Sequence, residues 1–135
     1  MDQNTLSNAA DNLPDVPKLI SPGMHAVLDY GVASTYFGLW ARYHNRHRGA
    51  AALACVNGCM VLALALMTDY PGGLFRTLSF KTHRTMDWIQ AGLAAFGPVA
   101  MGFADEPEAA TFYSQAISEV GVIAATDWDA QPAAA

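Results

Sequence analysis

Apolar residues are concentrated in four stretches of the chain, each about as long as a membrane-crossing helix. Residues 50–68 contain no ionisable side chain except two thiols, and residues 88–104 contain none. A helix needs about 20 apolar residues to cross a bilayer core of about 30 Å. A helix of a soluble bundle would need a polar face, which both stretches lack. The pattern therefore predicts an all-α integral membrane four-helix bundle, with helices at residues 24–43, 50–69, 85–104 and 108–127.

Composition agrees with a membrane protein. Hydrophobic residues make up 53% of the 135 residues and charged residues only 14%, against about 25% charged residues in typical soluble domains. The net charge of −5 and the few basic residues argue against nucleic-acid binding. We expect an irregular N-terminal arm (1–18), one transmembrane domain (19–128) and an irregular C-terminal tail (129–135).

The polar landmarks of the chain recur after 58 residues without a gap. Ser21, His25, Asp29 and Tyr30 fall on Ser79, His83, Asp87 and Trp88, and Thr68, Asp69 and Tyr70 fall on Thr126, Asp127 and Trp128. This self-similarity predicts two tandem helical hairpins, at about residues 19–70 and 77–128, related by a pseudo-twofold axis. The four aromatic residues of the pattern should form a belt at one membrane surface.

Both copies of the pattern should meet at one membrane surface, because the second helix of a hairpin ends on the side where its first helix begins. Residues four apart share a helix face, so each histidine points the same way as the aspartate that follows it. Two imidazoles and four carboxylates can then converge: His25, Asp29, Asp69, His83, Asp87 and Asp127.

Two interpretations of this cluster stay open. Mixed nitrogen and oxygen ligands suit a divalent metal such as Zn, Mn or Fe, bound as one ion or two. Alternatively, the groups form a structural hydrogen-bond network, because ionisable groups in a span cost several kcal/mol unless they are paired. That cost is smaller near the water interface, which favours the structural network.

Glu119 lies in the middle of the fourth stretch and has no charged counterpart, since the equivalent position is Val61. Asn57 and Gln115 do correspond in the repeat. We interpret Glu119 as a neutral carboxyl group hydrogen-bonded to Asn57 or to another helix. The alternative is a proton-carrying carboxyl group or a contact to a partner protein or pigment.

Three segments, LISPGMHAVLDY, MTDYPGGLFR and FKTHRTMDW, carry a family resemblance. They are similar to small bacterial membrane proteins of the SPW-repeat family, which have paired transmembrane helices, often in two copies, and no established activity. The resemblance covers about residues 19–128, and at GPVAMGFADEPEA the triplet Phe96-Gly97-Pro98 stands where the family has Ser-Pro-Trp. It implies a multi-pass protein of the bacterial inner membrane and supplies no mechanism.

The small size and thin loops favour a non-catalytic accessory or scaffold subunit of a larger respiratory or photosynthetic membrane complex. We therefore expect membrane lipids, other membrane subunits or a second copy as partners. Both termini should lie on one side, and four basic residues against three on the other face give a slight preference for the cytoplasm. The alternative is a metal- or cofactor-binding membrane protein that uses the His–Asp cluster. A small proton-coupled transporter with Glu119 as carrier ranks last, because four spans are few for a transporter.

Overall fold

The computed structural model describes residues 16–131. Its four helices are α1 (Pro22–Tyr43), α2 (Arg48–Met67), α3 (Phe80–Ala100) and α4 (Ala109–Ala125). The predicted all-α class and the four helices are confirmed for the described part of the chain. Most of the expected N-terminal arm, and residues 132–135 of the expected tail, lie outside it.

Capping serines set the starts of α1 and α3. Ser21 Oγ accepts a hydrogen bond from the Met24 N–H at 3.2 Å, and Ser79 Oγ accepts one from the Thr82 N–H at 3.1 Å. Such a serine pairs one of the N–H groups that a helix start leaves without a partner. For this reason α3 begins at Phe80, five residues before the predicted start.

Short backbone pairings tie the helix ends together at one end of the bundle. The segment before α1 pairs with the end of α4 through Ile20 and Thr126, and the segment before α3 pairs with the end of α2 through Leu78 and Thr68. Each pairing contains two backbone hydrogen bonds of 2.8–3.0 Å. The residues of one pairing lie 58 positions from those of the other, as the repeat in the sequence does.

The bundle buries many small residues together with large aromatic side chains such as Phe103 and Phe112, and other large apolar residues lie on its outside. Among the outer ones, Val27, Phe96 and Ile117 are 72%, 73% and 75% exposed. Many of the buried positions are alanines, among them Ala33, Ala50, Ala54, Ala65 and Ala94. Small buried residues let helix backbones approach closely, as is typical of helix packing in membranes.

Of the described helices, α2 alone is long and apolar enough to cross a membrane, and half of its apolar window is buried inside the protein. α1 and α3 carry charged residues such as Asp29 and Asp87, and α4 has only 17 residues. The core helix of a soluble protein can have the same length and composition as α2. Helix length and composition thus support one of the four predicted spans.

The turn after α2 contains a glycine that other residues cannot replace without moving the backbone. A Cβ atom added to Gly73 would collide with the carbonyl oxygen of Thr68. The Gly73 N–H also donates to the Tyr70 carbonyl at 3.0 Å. Gly73 therefore holds the turn that presents Thr68 and Tyr70 to the interior.

We predict that Gly73→Ala lowers the free energy of unfolding by about 2–3 kcal/mol, because the turn must open to accept the methyl group. Thermal unfolding of the purified protein would measure this loss. Gly121→Ala is the matched control: Gly121 is helical and nothing lies within 4 Å of an added Cβ, so its stability should be unchanged or higher by up to about 1 kcal/mol. Equal stability of the two variants would contradict the described turn.

Candidate metal centre

α1 and α3 each present a histidine and an aspartate at the same end of the bundle. Each histidine follows its capping serine by four residues and precedes its aspartate by four. This spacing places both side chains of a helix on one face. All four are buried, with His25 and His83 each 1% exposed, Asp29 8% and Asp87 6%.

The four side chains form an alternating ring of nitrogen and oxygen atoms. His25 Nε2 lies 3.5 Å from Asp29 Oδ1 and 3.2 Å from Asp87 Oδ2. His83 Nε2 lies 3.3 Å from Asp29 Oδ2 and 3.0 Å from Asp87 Oδ1. Each histidine therefore faces both carboxylates, one from its own helix and one from the other.

The second nitrogen of each imidazole is held by a threonine that ends another helix. His25 Nδ1 lies 2.9 Å from Thr126 Oγ1, and His83 Nδ1 lies 2.6 Å from Thr68 Oγ1. Each threonine hydroxyl donates its one hydrogen to the carbonyl four residues earlier in its own helix, at 2.6–2.7 Å. The threonine oxygen must therefore accept from the imidazole, so Nδ1 carries a proton. In a neutral ring this leaves the lone pair of Nε2 directed at the carboxylates.

Several atoms of the ring are buried and have no hydrogen-bond partner among the described residues. They are His25 Nε2, His83 Nε2 and Asp87 Oδ2. Buried polar atoms are nearly always paired, so such a set needs a further partner. One ligand atom from each of His25, His83 and Asp87 lies within 4.8 Å of the other two. These three residues could hold a metal ion, with Asp29 beside them.

Aromatic rings pack against both imidazoles. The ring centroid of Trp128 lies 4.9 Å from that of His25, and the centroid of Tyr70 lies 5.5 Å from that of His83. The Tyr70 O–H donates to Asp29 Oδ2 at 2.6 Å. Burial, followed by the Asp29 carboxylate, raises the pKa of the Tyr70 hydroxyl above its ordinary value, so this donor keeps its proton. Tyr70 and Trp128 are buried, and do not belong to the exposed aromatic belt that the sequence predicted.

The structure brings together four of the six residues of the predicted cluster, and Asp69 and Asp127 do not join them. Asp69 is exposed. Asp127 Oδ1 accepts from the backbone N–H groups of Asp129 and Ala130 at 3.2 and 3.1 Å. Backbone in an extended conformation turns successive side chains to opposite sides, so the threonine and the aromatic residue face inward and the aspartate between them faces away. The aspartate of each triplet was predicted to join the cluster, but the structure directs the threonine and the aromatic residue toward it instead.

The predicted hydrogen bond between Glu119 and Asn57 is not formed. The side-chain amide of Asn57 donates to the Leu53 carbonyl at 2.8 Å, and its oxygen accepts from Gln90. Gln90 was not among the predicted polar residues, although an amide within a stretch that lacks charges is a signal for it. Glu119 and Gln115 instead line a cavity beside the His–Asp ring.

A second group of potential metal ligands, His47, Glu106 and Glu108, lies at the opposite end of the bundle. His47 Nδ1 accepts from the Ala50 N–H at 2.9 Å and thereby caps α2. In a neutral ring the proton is then on Nε2, which lies 3.0 Å from Glu106 Oε2 and donates to it. Both nitrogens of His47 are thus paired, so this group is a helix cap and has the opposite tautomer to His25 and His83.

Comparisons with models of known protein families, with curated proteins and with solved structures found no match. The resemblance to the SPW-repeat family therefore stays a prediction. The chemistry of the site has to be inferred from its geometry.

We predict that Thr68→Val lowers the free energy of unfolding by about 1–3 kcal/mol, because valine keeps the shape but leaves the buried Nδ1–H of His83 without an acceptor. Thr126→Val should act on His25 in the same way. Denaturant unfolding would measure both losses.

Thr35→Val is the matched control for these variants. The Thr35 hydroxyl also donates to the carbonyl four residues earlier, at 2.9 Å, but Thr35 is exposed. Its replacement should change stability by less than about 0.5 kcal/mol. An equal loss in all three variants would assign the effect to the helix hydroxyl and not to the imidazole.

Proposed function

We propose that the chain is a four-helix membrane protein that binds one divalent transition metal ion through His25 Nε2, His83 Nε2 and Asp87, with Asp29 completing the ligand set. The observation that carries this proposal is the convergence of two imidazole nitrogens and two carboxylates in a buried ring. Neither Nε2 has a hydrogen-bond partner among the described residues, although carboxylate oxygens lie within 3.5 Å.

The threonines support metal binding because they set the tautomer. A histidine that binds a metal normally donates its other ring N–H to an oxygen, which orients the ring and exposes the coordinating nitrogen. Thr126 and Thr68 supply that oxygen to His25 and His83. An imidazole nitrogen together with carboxylate oxygens suits Zn, Mn or Fe.

Charge balance is compatible with a divalent cation. Two ionised aspartates carry a charge of −2, which one divalent ion neutralises while both histidines stay neutral. Two charged histidines would balance the same carboxylates in a structural network. In that case each Nε2–H would donate to a carboxylate oxygen 3.0–3.5 Å away, and the metal content of the purified protein distinguishes the two states.

The spacing of the ring fits a metal of ordinary size. Zinc bonds to nitrogen and oxygen are about 2.0–2.2 Å long, which gives a tetrahedron with edges of about 3.3–3.6 Å. The four N···O distances of the ring run from 3.0 to 3.5 Å, a similar scale, with each aspartate facing one histidine through Oδ1 and the other through Oδ2.

Membrane insertion of all four helices, with two related hairpins, is part of the proposal. The exposed Val27, Phe96 and Ile117 and the alanine-rich interior support insertion, because lipid tails are the solvent that such a surface favours. Serine caps, backbone pairings and histidine–threonine contacts that recur at an offset of 58 residues support a pseudo-twofold arrangement of duplicated hairpins.

An accessory role in a larger membrane complex is a second candidate function. An apolar groove along α3 and α4 favours it, with the exposed Trp88, Phe96 and Ile117 around the small residues Gly92 and Ala95. Lipid can cover the same groove. Copurification with a large complex in mild detergent would support the accessory role, and it is compatible with a bound metal.

We predict that detergent-purified protein binds about one equivalent of zinc, manganese or iron(II), measured by elemental analysis after dialysis. His25→Ala and His83→Ala should remove the bound metal, because each deletes one nitrogen ligand. A chelator should lower the melting temperature and added metal should restore it. At a free metal concentration one hundred times Kd, binding should raise the free energy of unfolding by about 2.7 kcal/mol.

His47→Ala is the matched control for metal binding, since this histidine lies in the second group of potential ligands but has both nitrogens paired. Its metal content should equal that of the unmodified protein. Absence of bound metal at every concentration, together with a large loss of thermal stability in His25→Ala, would contradict metal binding and establish the structural network.

We predict that Ile117→Lys reduces membrane insertion strongly, because a lysine in the hydrocarbon region costs about 2.5–3.5 kcal/mol. In a soluble protein the same change at an exposed position would alter stability by less than about 0.5 kcal/mol. The retained fraction after an alkaline carbonate wash of membranes would measure insertion. A chain that stays monodisperse in buffer without detergent would contradict the four spans.

A further inference from the structure

A cavity of about 190 Å³ lies beside the His–Asp ring, between the four helices. Aliphatic side chains form most of its wall, including Val32, Val61, Leu64 and Val122. One end is formed by the His–Asp ring, and the other polar groups are Gln115, Ser118 and Glu119. Such a space has an apolar body and a small number of polar groups, as small-molecule sites usually do.

Glu119 is the polar group of this cavity that the rest of the structure leaves unexplained. Its Oε2 atom is buried and has no hydrogen-bond partner among the described residues. The corresponding residue in the first hairpin is Val61, which lines the same cavity. The carboxyl group is therefore not needed to build the hairpin, and a buried oxygen without a partner costs stability unless something binds it.

The cavity opens on the side of the bundle, between α1 and α4. Leu28 on α1 is 38% exposed and Ser118 on α4 is exposed, and both line the cavity. In a membrane this opening faces lipid, so a ligand that enters there has to dissolve in lipid.

We propose that this cavity binds a small uncharged ring-shaped molecule that carries a hydroxyl group, such as a phenol, with the hydroxyl on Glu119 and the ring against the valines. The volume is sufficient, since an apolar cavity of about 150 Å³ binds benzene. A hydroxyl group both donates and accepts, so it pairs with Glu119 whether the carboxyl group is ionised or neutral. The binding needs no metal and is independent of that part of the proposed function, whereas entry from lipid rests on the proposed membrane insertion.

The test is a titration of the detergent-solubilised protein with phenol and with benzene, followed by the methyl NMR signals of Val32, Val61 and Val122. Phenol should shift these signals and bind about five- to tenfold more tightly than benzene, as one hydrogen bond provides. Glu119→Val, which installs the residue of the first hairpin, should abolish that preference. Glu119→Gln, which keeps a donor and an acceptor, should retain it and covers the case in which Glu119→Val does not fold.

Ser114→Ala is the matched control, because Ser114 lies on α4 and is exposed but does not line the cavity. It should bind both probes as the unmodified protein does. Absence of any shift with either probe, or an unchanged preference for phenol in Glu119→Val, would overturn the proposal. Metal content measured in the same samples separates the two sites, since Glu119→Val should retain the metal and His25→Ala should not.

Discussion

The hydroxyl hydrogen of each of two threonines determines which ring nitrogen of His25 and His83 carries a proton. Because Thr68 and Thr126 donate that hydrogen to their own helices, their oxygens can only accept from the imidazoles. Both rings are thereby fixed with Nδ1 protonated and Nε2 directed at the carboxylates. Backbone pairings at Ile20 and Leu78 hold each threonine in place, so the tautomer follows from how the helix ends are fastened.

Close helix packing is what brings these groups within reach of each other. Alanines at many of the buried positions let the helix backbones approach closely. Loss of one side chain of the His–Asp ring would leave another without its partner, and ionisable groups in a low-dielectric surrounding are costly unless they are paired.

The repeat in the sequence was enough to predict four helices and the meeting of His25, Asp29, His83 and Asp87, because a helix periodicity and a hairpin geometry determine both. It was not enough to choose within the triplet that ends α2 and α4. Asp69 was selected for its charge, whereas extended backbone at Thr68 directs the threonine and Tyr70 inward. The pairing of Asn57 with Gln90 was missed for a related reason: the partner lies on another helix at a rotation that sequence spacing does not specify.

The two hairpins differ in the hydrogen bonds that they supply to the two aspartates of the ring. Tyr70 donates to Asp29, but its counterpart Trp128 donates to the Ile123 carbonyl at 2.8 Å and leaves Asp87 without that bond. One carboxylate is therefore held by a hydrogen bond, while Oδ2 of the other has none among the described residues. A cation would be expected to bind the carboxylate whose oxygens are not yet engaged. The exchange of tyrosine for tryptophan thus makes the two carboxylates chemically unequal, although each lies within 3.5 Å of both Nε2 atoms.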